Sequence, residues 1–375
     1  MSDNDSDLTT LAAIGADDPD RGHSSRITKE APVTRIGNLI NKALVDGRVN
    51  KSEVEGLIKE AEKNGIVSAN EKKELANLLK RHTDKFDAES AAHLASFLGE
   101  AAPKIVTPSK PAGPAPKVEV CDDPKVLNKH AGQITYNKIQ GGQLFKDGVS
   151  FDDVVQGSIA NCYFVGAISA VAYSDPKIIE DAITDHGDGT FTVRFYERGP
   201  SGRYEEKLVR VDDDFPSYGP GSSPRYAKSR DSKELWVSVL EKAYAALKGD
   251  YEAIGNGGYA TEVMTALTGR NSSYYSLEYS SADRMFDLIK TGGELNTPMT
   301  AGTYGEDDGV DYKGTGVYAW HAYTLMGAVE ENGVKYVQLR NPWGSSEPGS
   351  DGKNDGIFKM KIEDFMKLYQ GINVN

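Results

Sequence analysis

The sequence predicts an α+β chain preceded by a small all-helical unit, and three observations carry that reading. Apolar residues recur at helical spacing between about residues 34 and 100, a proline-rich stretch at 101–117 interrupts them, and beyond it helical segments give way to alternating strands and glycine-rich turns. At 375 residues the chain can bury more than one core. Its net charge of −13 argues against nucleic acid or an anionic membrane as a partner, because both require clustered Lys and Arg. No apolar run approaches the ~18 residues of a membrane span, and the first residues have neither a basic nor an apolar leader segment. The default location is cytoplasmic, with export by a non-classical route left open. Two cysteines, Cys121 and Cys162, do not make a disulfide framework.

Residues 1–33, which include His23, are rich in Asp, Ser and Thr and are expected to form a disordered tail. Over 34–100 four short helices fit. Their apolar faces carry Ile36, Leu39, Ile40 and Leu44, then Val54, Leu57 and Ile58, then Leu75, Leu78 and Leu79, then Leu94 and Leu98. A weak repeat aligns G-R-V-N-K-S-E-V from Gly47 with G-I-V-S-A-N-E-K from Gly65, and each copy holds a capping box, Asn50 with Glu53 and Ser68 with Glu71. The stretch from Asp46 to Glu53 superficially looks like a calcium loop. It is too short for twelve-residue spacing and lacks alternating oxygen ligands, so helix starts are expected there. His82 and His93 lie among charged or helical residues and are expected to be solvated or packed. Five prolines over 101–117 favour an extended, semi-rigid linker and a domain boundary, at the most accessible place for proteolysis.

From 118 the chain divides into a more helical part, 118–254, and a β-rich part, 255–375. Strands are expected at 190–196 and 207–211 around a turn at 198–203. A helix is expected at 233–248, with Leu235, Val239, Ala243 and Leu247 on one face. Gly255, Gly257 and Gly258 break the pattern, and short strands with glycine-rich turns dominate from Thr297.

The chemistry concentrates at residues 156–172, Q-G-S-I-A-N-C-Y-F-V-G-A-I-S-A-V-A. Asn161 is expected to cap a helix whose Phe164, Ile168 and Val171 follow at helical spacing, which puts Cys162 in the first turn of a half-buried helix. Unpaired amides and the helix dipole stabilise a thiolate there, and the thiolate is the nucleophilic form. Gln156 offers an amide that can donate to an oxyanion beside the sulfur. Taken alone, a cysteine before an apolar run is a small buried hydrophobe; a nucleophile also needs a base and a group to orient that base. His321 and His186 are the credible bases, because His130 lies in a polar segment and the other three histidines precede the linker. His186, in D-H-G-D-G, is expected to be a solvated turn residue. His321, in the apolar run V-Y-A-W-H-A-Y-T-L, needs hydrogen-bond partners to offset burial.

The tripeptide E-N-G at 331–333 signals a hairpin that returns through V-K-Y-V-Q-L-R-N-P-W-G. A plain two-residue turn would pair 321 with 344 and turn Asn341 to the opposite face. Pairing 341 with 323 puts Asn341 on the face of His321, so an odd-length turn or a bulge is expected. Trp343 is then placed to cover the His–Asn contact from water. The alternative is that Asn341 simply caps a turn.

Seven motifs stand in one order: Q-G-S-I-A-N-C-Y-F from Gln156, V-D-D-D-F-P from Val211, E-L-W-V-S-V-L-E-K-A-Y from Glu234, Gly257-Gly258 followed by L-T-G, W-H-A-Y-T-L from Trp320, R-N-P-W-G from Arg340, and D-G-I-F-K-M from Asp355. Over roughly 145–375 the chain resembles the calpain family of papain-like cysteine proteases. The resemblance implies a two-lobed papain-like fold, a helical lobe bearing the cysteine and a β-rich lobe bearing the histidine and asparagine. It implies peptide-bond hydrolysis with Cys162 as nucleophile, His321 as general base and then acid, Asn341 orienting the imidazole, and Gln156 completing an oxyanion hole with the Cys162 N–H. Gly257 and Gly258 match positions where the substrate backbone lies, and Trp343 matches the tryptophan that shields the pair.

The chain departs from the family at several positions. Asn161 stands where an acidic residue is usual, the loop after N-P-W-G is only about a dozen residues long, and its end reads D-G-I instead of D-G-E. These are calcium-binding positions in the family. No cofactor is therefore expected, no metal ligands are assigned, and the core is expected to be calcium-independent. Trp320 replaces a glycine usual before the histidine and is expected to reshape the cleft beside the scissile bond as a substrate-binding residue. The implied partners are protein or peptide substrates of a monomer. Residues 34–100 would serve as a propeptide or targeting module, and a zymogen would be cut near the linker. Two other readings stay open. One is a catalytically silent interaction protein with the same fold. The other is acyl transfer of transglutaminase type, disfavoured because the third member is Asn341 and not an acid.

Overall fold

The computed structural model describes residues 49–103 apart from 64, 66 and 87, residues 118–349 and 352–375, and Ile36, Leu39, Ile40 and Ala43. The expected tail and nearly all of the expected linker lie outside the described residues. Helices α1 (Lys51–Glu62), α2 (Ala69–Arg81) and α3 (Ala88–Leu98) pack around Val54, Leu57, Leu75, Leu78, Leu79 and Leu94. Both capping boxes form: Asn50 Oδ1 accepts from Glu53 N at 3.0 Å while Glu53 Oε2 accepts from Asn50 N at 2.9 Å, and Ser68 and Glu71 repeat the exchange. Glu53 is thus spent on a helix start and on an ion pair with Arg270 at 3.7 Å.

The next part of the chain comprises β1 (Thr135–Lys138), β2 (Val154–Val155), α4 (Cys162–Ser174), α5 (Pro176–Ala182), β3 (Ile183–Asp185), β4 (Thr190–Arg198), β5 (Tyr204–Asp212), β6 (Asp214–Ser217), β7 (Lys228–Ser229), α6 (Trp236–Lys248), α7 (Tyr251–Ile254) and α8 (Ala260–Thr268). Strands β3, β4 and β5 form an antiparallel sheet, and β1 pairs with β6 and β2 with β7. A first core gathers Phe164, Ile168, Phe195, Trp236, Leu240 and Val263, among others. The rest is β8 (Ser273–Ser276), α9 (Ala282–Glu294), β9 (Met299–Thr303), β10 (Ala322–Glu331), β11 (Val334–Arg340), β12 (Ile357–Lys361), α10 (Ile362–Leu368) and β13 (Tyr369–Val374). Its six-stranded sheet runs β12-β11-β10-β9-β13-β8 and encloses a second core that includes Phe286, Tyr323, Leu339 and Phe365.

The first core extends to Leu267 and the second begins at Leu277, so the apolar division falls near residue 270 and not at 254/255. Helix α8 belongs with the cysteine because Val263, Met264 and Leu267 pack into the first core.

Helix α4 is buried on nearly every side, not half-buried, with Tyr163 through Ala172 all inside. A helix that is apolar all round belongs between two packed layers, and α4 lies between the first core and β10. At Gly166 the two elements are in ordinary van der Waals contact, a Cβ there lying 3.7 Å from Ala322 O, and Thr324 Oγ1 donates to the Gly166 carbonyl at 2.9 Å. Arg340, fully buried at the end of β11, reaches across to the Val154 carbonyl at 2.7 Å and to Ser169 Oγ at 3.4 Å. The backbone of Gln156 donates to the Pro342 carbonyl at 2.9 Å. No helix among the described residues is long and apolar enough to cross a membrane.

Helix α6 carries the expected apolar face but also buries Glu241 and Lys242. Lys242, with no exposed side chain, bonds to Asp123 and Asp214 at 2.6 Å each and to Asp212. Burial pulls its pKa down, but the three carboxylates outweigh burial and the net shift is upward. Replacing Lys242 with Met leaves these acids without a counter-ion, and we expect a loss of about 3–5 kcal/mol of stability. Urea unfolding of the variant measures it; an unchanged midpoint would mean the acids are relieved by solvent.

Candidate active site

Cys162 is the first residue of α4, and Asn161 occupies the capping position. The expected side-chain cap does not form. Asn161 is fully buried, and its Nδ2 donates to Glu241 Oε1 at 2.6 Å. Both Glu241 oxygens also accept from Ala227 N at 3.0 Å. Burial pushes the Glu241 carboxyl up to about 7 despite these donors. Periodicity missed Glu241 because it sits beside the apolar face of α6. The signal that could have found it is Asn161 itself, a polar residue at the head of an otherwise apolar helix.

Burial pushes the Cys162 thiol above its ordinary value, and the N–H groups of Ala322, Tyr163 and Cys162 pull the other way. The expected net stabilisation of a resting thiolate is therefore corrected: desolvation exceeds the helix-start contribution. Ala322, the first residue of β10, directly follows His321, so the amide that reaches the sulfur is the one next to the residue that bears the imidazole.

His321 is buried, at 7% exposure. Its backbone N–H donates to Thr303 Oγ1 at 2.9 Å and its ring Nε2 meets Asn341 Oδ1 at 3.0 Å. Asn341 is held from both ends. Its Nδ2 donates to the Ser346 carbonyl at 3.0 Å, and its Oδ1 also accepts from Trp343 N at 3.1 Å. Oδ1 is thus an acceptor toward the ring, so Nε2 carries the proton and Nδ1 keeps a free lone pair. Trp343 stacks against the His321 ring at 4.8 Å and Tyr318 at 4.5 Å, which makes it a cover for the imidazole. Burial lowers the His321 pKa to about 4, against the raising effect of Asn341. Among the described residues no hydrogen bond joins His321 to Cys162, and burial disfavours the charged form of each.

The strand register explains how Asn341 reaches His321. The hairpin has a two-residue turn, Asn332 and Gly333 at φ 53° and 78°, and Glu331 pairs with Val334. A bulge between Leu325 and Gly327 then shifts the register, so that Arg340 pairs with Thr324. The next step of that register sets Asn341 opposite Tyr323, on the face of His321. The expected shift is present, supplied by a bulge within β10 and not by the turn.

Gln156 Nε2 donates to the Ile159 carbonyl at 2.9 Å, which leaves its second N–H uncommitted; its buried Oε1 has no partner. Gly257 N donates to the Ala160 carbonyl at 2.7 Å, at φ 90° with open space above it. Gly258 has a different constraint, since a Cβ there would lie 2.4 Å from the Tyr163 ring. Trp320 is 70% exposed at φ 52°, immediately before His321. Among the described residues the His186 ring bonds to Thr192 Oγ1 at an exposed position and the His130 ring to Tyr226 at 3.0 Å, so neither joins this group.

One acidic group, Asp123, Asp212 and Asp214, has the spacing of a cation site. It does not fit a metal, because the Lys242 ammonium already lies within bonding distance of all three. In the loop after Trp343, Glu347 accepts from Gly356 N at 2.7 Å, Asn354 from Ser346 N at 2.9 Å and Asp355 from Ile357 N at 3.0 Å. These side-chain oxygens hold the loop itself.

A family described as calpain family cysteine protease matches residues 129–351, more than half of the chain. The chain is 34% identical over 230 residues to the calpain-type cysteine protease ADL1 of Oryza sativa subsp. japonica, covering 58% of this chain and 10% of that protein. It is 35% identical over 233 residues to the calpain-type cysteine protease DEK1 of Zea mays, again covering 58% and 10%. It is 26% identical over 264 residues to the calpain-1 catalytic subunit of Bos taurus, covering 62% and 36%. The chain thus spans about a tenth of the plant relatives and about a third of the animal one.

If His321 acts as the base, activity requires its neutral form and falls as pH drops through about 4. We therefore expect the acid limb of kcat/KM near pH 4, well below the ~6.5 of an ordinary histidine. A pH profile measures this; a limb near 6.5 would mean the imidazole titrates in water.

Proposed function

The chain belongs to the calpain family of cysteine proteases, and on that premise we propose that it is an endopeptidase working through Cys162, His321 and Asn341. The observation that carries the reading is the His321–Asn341 bond, which leaves Nδ1 free to accept a proton, on a residue whose next amide contacts the Cys162 thiol. His321 Nδ1 takes the thiol proton as the sulfur adds to the substrate carbonyl carbon. The carbonyl π pair moves onto oxygen, where the Cys162 N–H and the second Gln156 N–H donate to it. Collapse expels the amine, which takes the proton from His321 and leaves a thioester. Water, deprotonated by the same nitrogen, then adds to the thioester carbon; the C–S bond breaks, the acid is released, and the departing Cys162 sulfur takes the proton back from His321. Gly257 offers an unobstructed backbone for the substrate strand, Trp320 stands at the rim, and Trp343 shields the imidazole from water.

The proposed architecture is papain-like and two-lobed. The lobes meet across α4, and an all-α domain precedes them. That domain is better read as a targeting module than as an occluding propeptide. It contacts Arg270, Leu295 and Asn296 beside a cavity of about 600 Å³ that Asp175 also lines. Asp175 follows the last residue of the 13-residue helix α4, about 20 Å from its first at ~1.5 Å per residue. A zymogen cut within 101–117 would still leave the protease chain anchored, because Cys121 N donates to the Arg210 carbonyl at 2.7 Å and Asp123 pairs with Lys242.

Purified full-length chain is expected to cut itself within 101–117 and to hydrolyse peptides, while Cys162→Ala does neither. Mass spectrometry of the products checks this, and absence of any turnover favours a silent interaction protein. Calcium independence is supported by the described loop carboxylates, Glu347 and Asp355, accepting from loop amides. We expect chelator-treated protein to keep its peptidase rate; a rate lost to chelator and restored by calcium would refute this.

A further inference from the structure

Trp320 is the least explained residue of the site. Its backbone lies at φ 52°, a left-handed conformation unusual for a bulky side chain, and its N–H donates to the Tyr304 carbonyl at 2.9 Å. One part of the indole rests on Gly305, where a Cβ would come within 2.3 Å of Cζ2 and 2.4 Å of Cε2. The ring is therefore held in place, yet the residue is 70% exposed. It directly precedes His321 and stands two residues before the amide that contacts the Cys162 thiol. The indole is thus carried by the residue next to the imidazole proposed to act on a bound peptide.

The segment on which the ring rests runs directly into acidic residues. Glu306, Asp307 and Asp308 follow Gly305 directly and are all exposed. Asp308 caps the turn by accepting from Gly305 N at 2.8 Å. Among the described residues no Lys or Arg pairs with Glu306 or Asp307. An exposed indole face beside unneutralised carboxylates attracts a cation by its quadrupole and by Coulomb's law together, and a planar guanidinium stacks on it better than an ammonium. Deepening the peptidase reading, on which this inference rests, we propose that Trp320 determines specificity as a platform for a basic substrate side chain, arginine above lysine, next to the scissile bond. The chain's own linker is of this class: 101–117 carries Lys104, Lys110 and Lys117 and no carboxylate, in a protein of net charge −13.

The test uses full-length protein and paired quenched peptides that differ only by arginine or its neutral isostere citrulline at each position within three of the cut. At one position the arginine peptide is expected to have a kcat/KM about two- to fivefold higher, the range that a cation over an exposed indole supports. Trp320→Gly, which suits φ 52° and so preserves the backbone, is expected to bring that ratio near one. Trp320→Phe is expected to keep much of it. The exposed pair Glu306→Gln/Asp307→Asn is expected to lower the ratio and flatten its dependence on salt, with Asp308 left in place for its cap. Turnover without an arginine preference, or a preference that survives Trp320→Gly, overturns this inference alone. No turnover of any peptide by the wild-type chain overturns the peptidase reading and this inference with it.

Discussion

The contact of α4 with β10 is the constraint on which the site depends. Helix and strand are tied side chain to backbone, Thr324 Oγ1 donating to the Gly166 carbonyl at 2.9 Å in the middle of their contact. The contact fixes the start of α4 against the end of the strand, which is where Cys162 meets the amide after His321. Arg340 secures the same junction from the next strand through carbonyls of the segment leading to α4. Cysteine and imidazole come from two different apolar cores, so their relative position is set by this seam and not by either core alone.

Burial has electrostatic consequences throughout the first core and the seam. Lys242 is surrounded by carboxylates, Glu241 accepts from Ala227 and Asn161, and Arg340 is bonded to carbonyls with no acid partner. Each of these three charges has donors or acceptors that offset part of its desolvation, although Arg340 Nε and Asn161 Oδ1 are buried without a partner. The same desolvation raises the thiol and lowers the imidazole. Both shifts disfavour the charged form of each group and have the same cause, the removal of water from the seam.

Much of this was readable from residue order. The capping boxes at Asn50 and Ser68 are local patterns that satisfy their own amides, so no distant contact could override them. The N-G turn was local too, since both residues adopt positive φ readily. The register shift could be demanded from function but not located, because any residue between 322 and 331 could have bulged. Gly327, at φ 143° against Gly293 of α9, shows that tertiary packing selected the position. Asn161 was misread for the same reason. Its type suits a cap, but a buried carboxylate on α6 claimed its amide.

By itself the sequence determined the local and the ordinal: which segments are helices and strands, the thiol at a helix start, the histidine in an apolar strand, and the order of motifs that marks the family. Only the tertiary structure decided which groups are dry, which carbonyls Arg340 serves, that Lys242 fills the acidic cluster, and that Trp320 stays open to solvent over Gly305. The physical reason is range. Propensity and capping act within a few residues, whereas desolvation and close packing depend on neighbours that chain order does not specify.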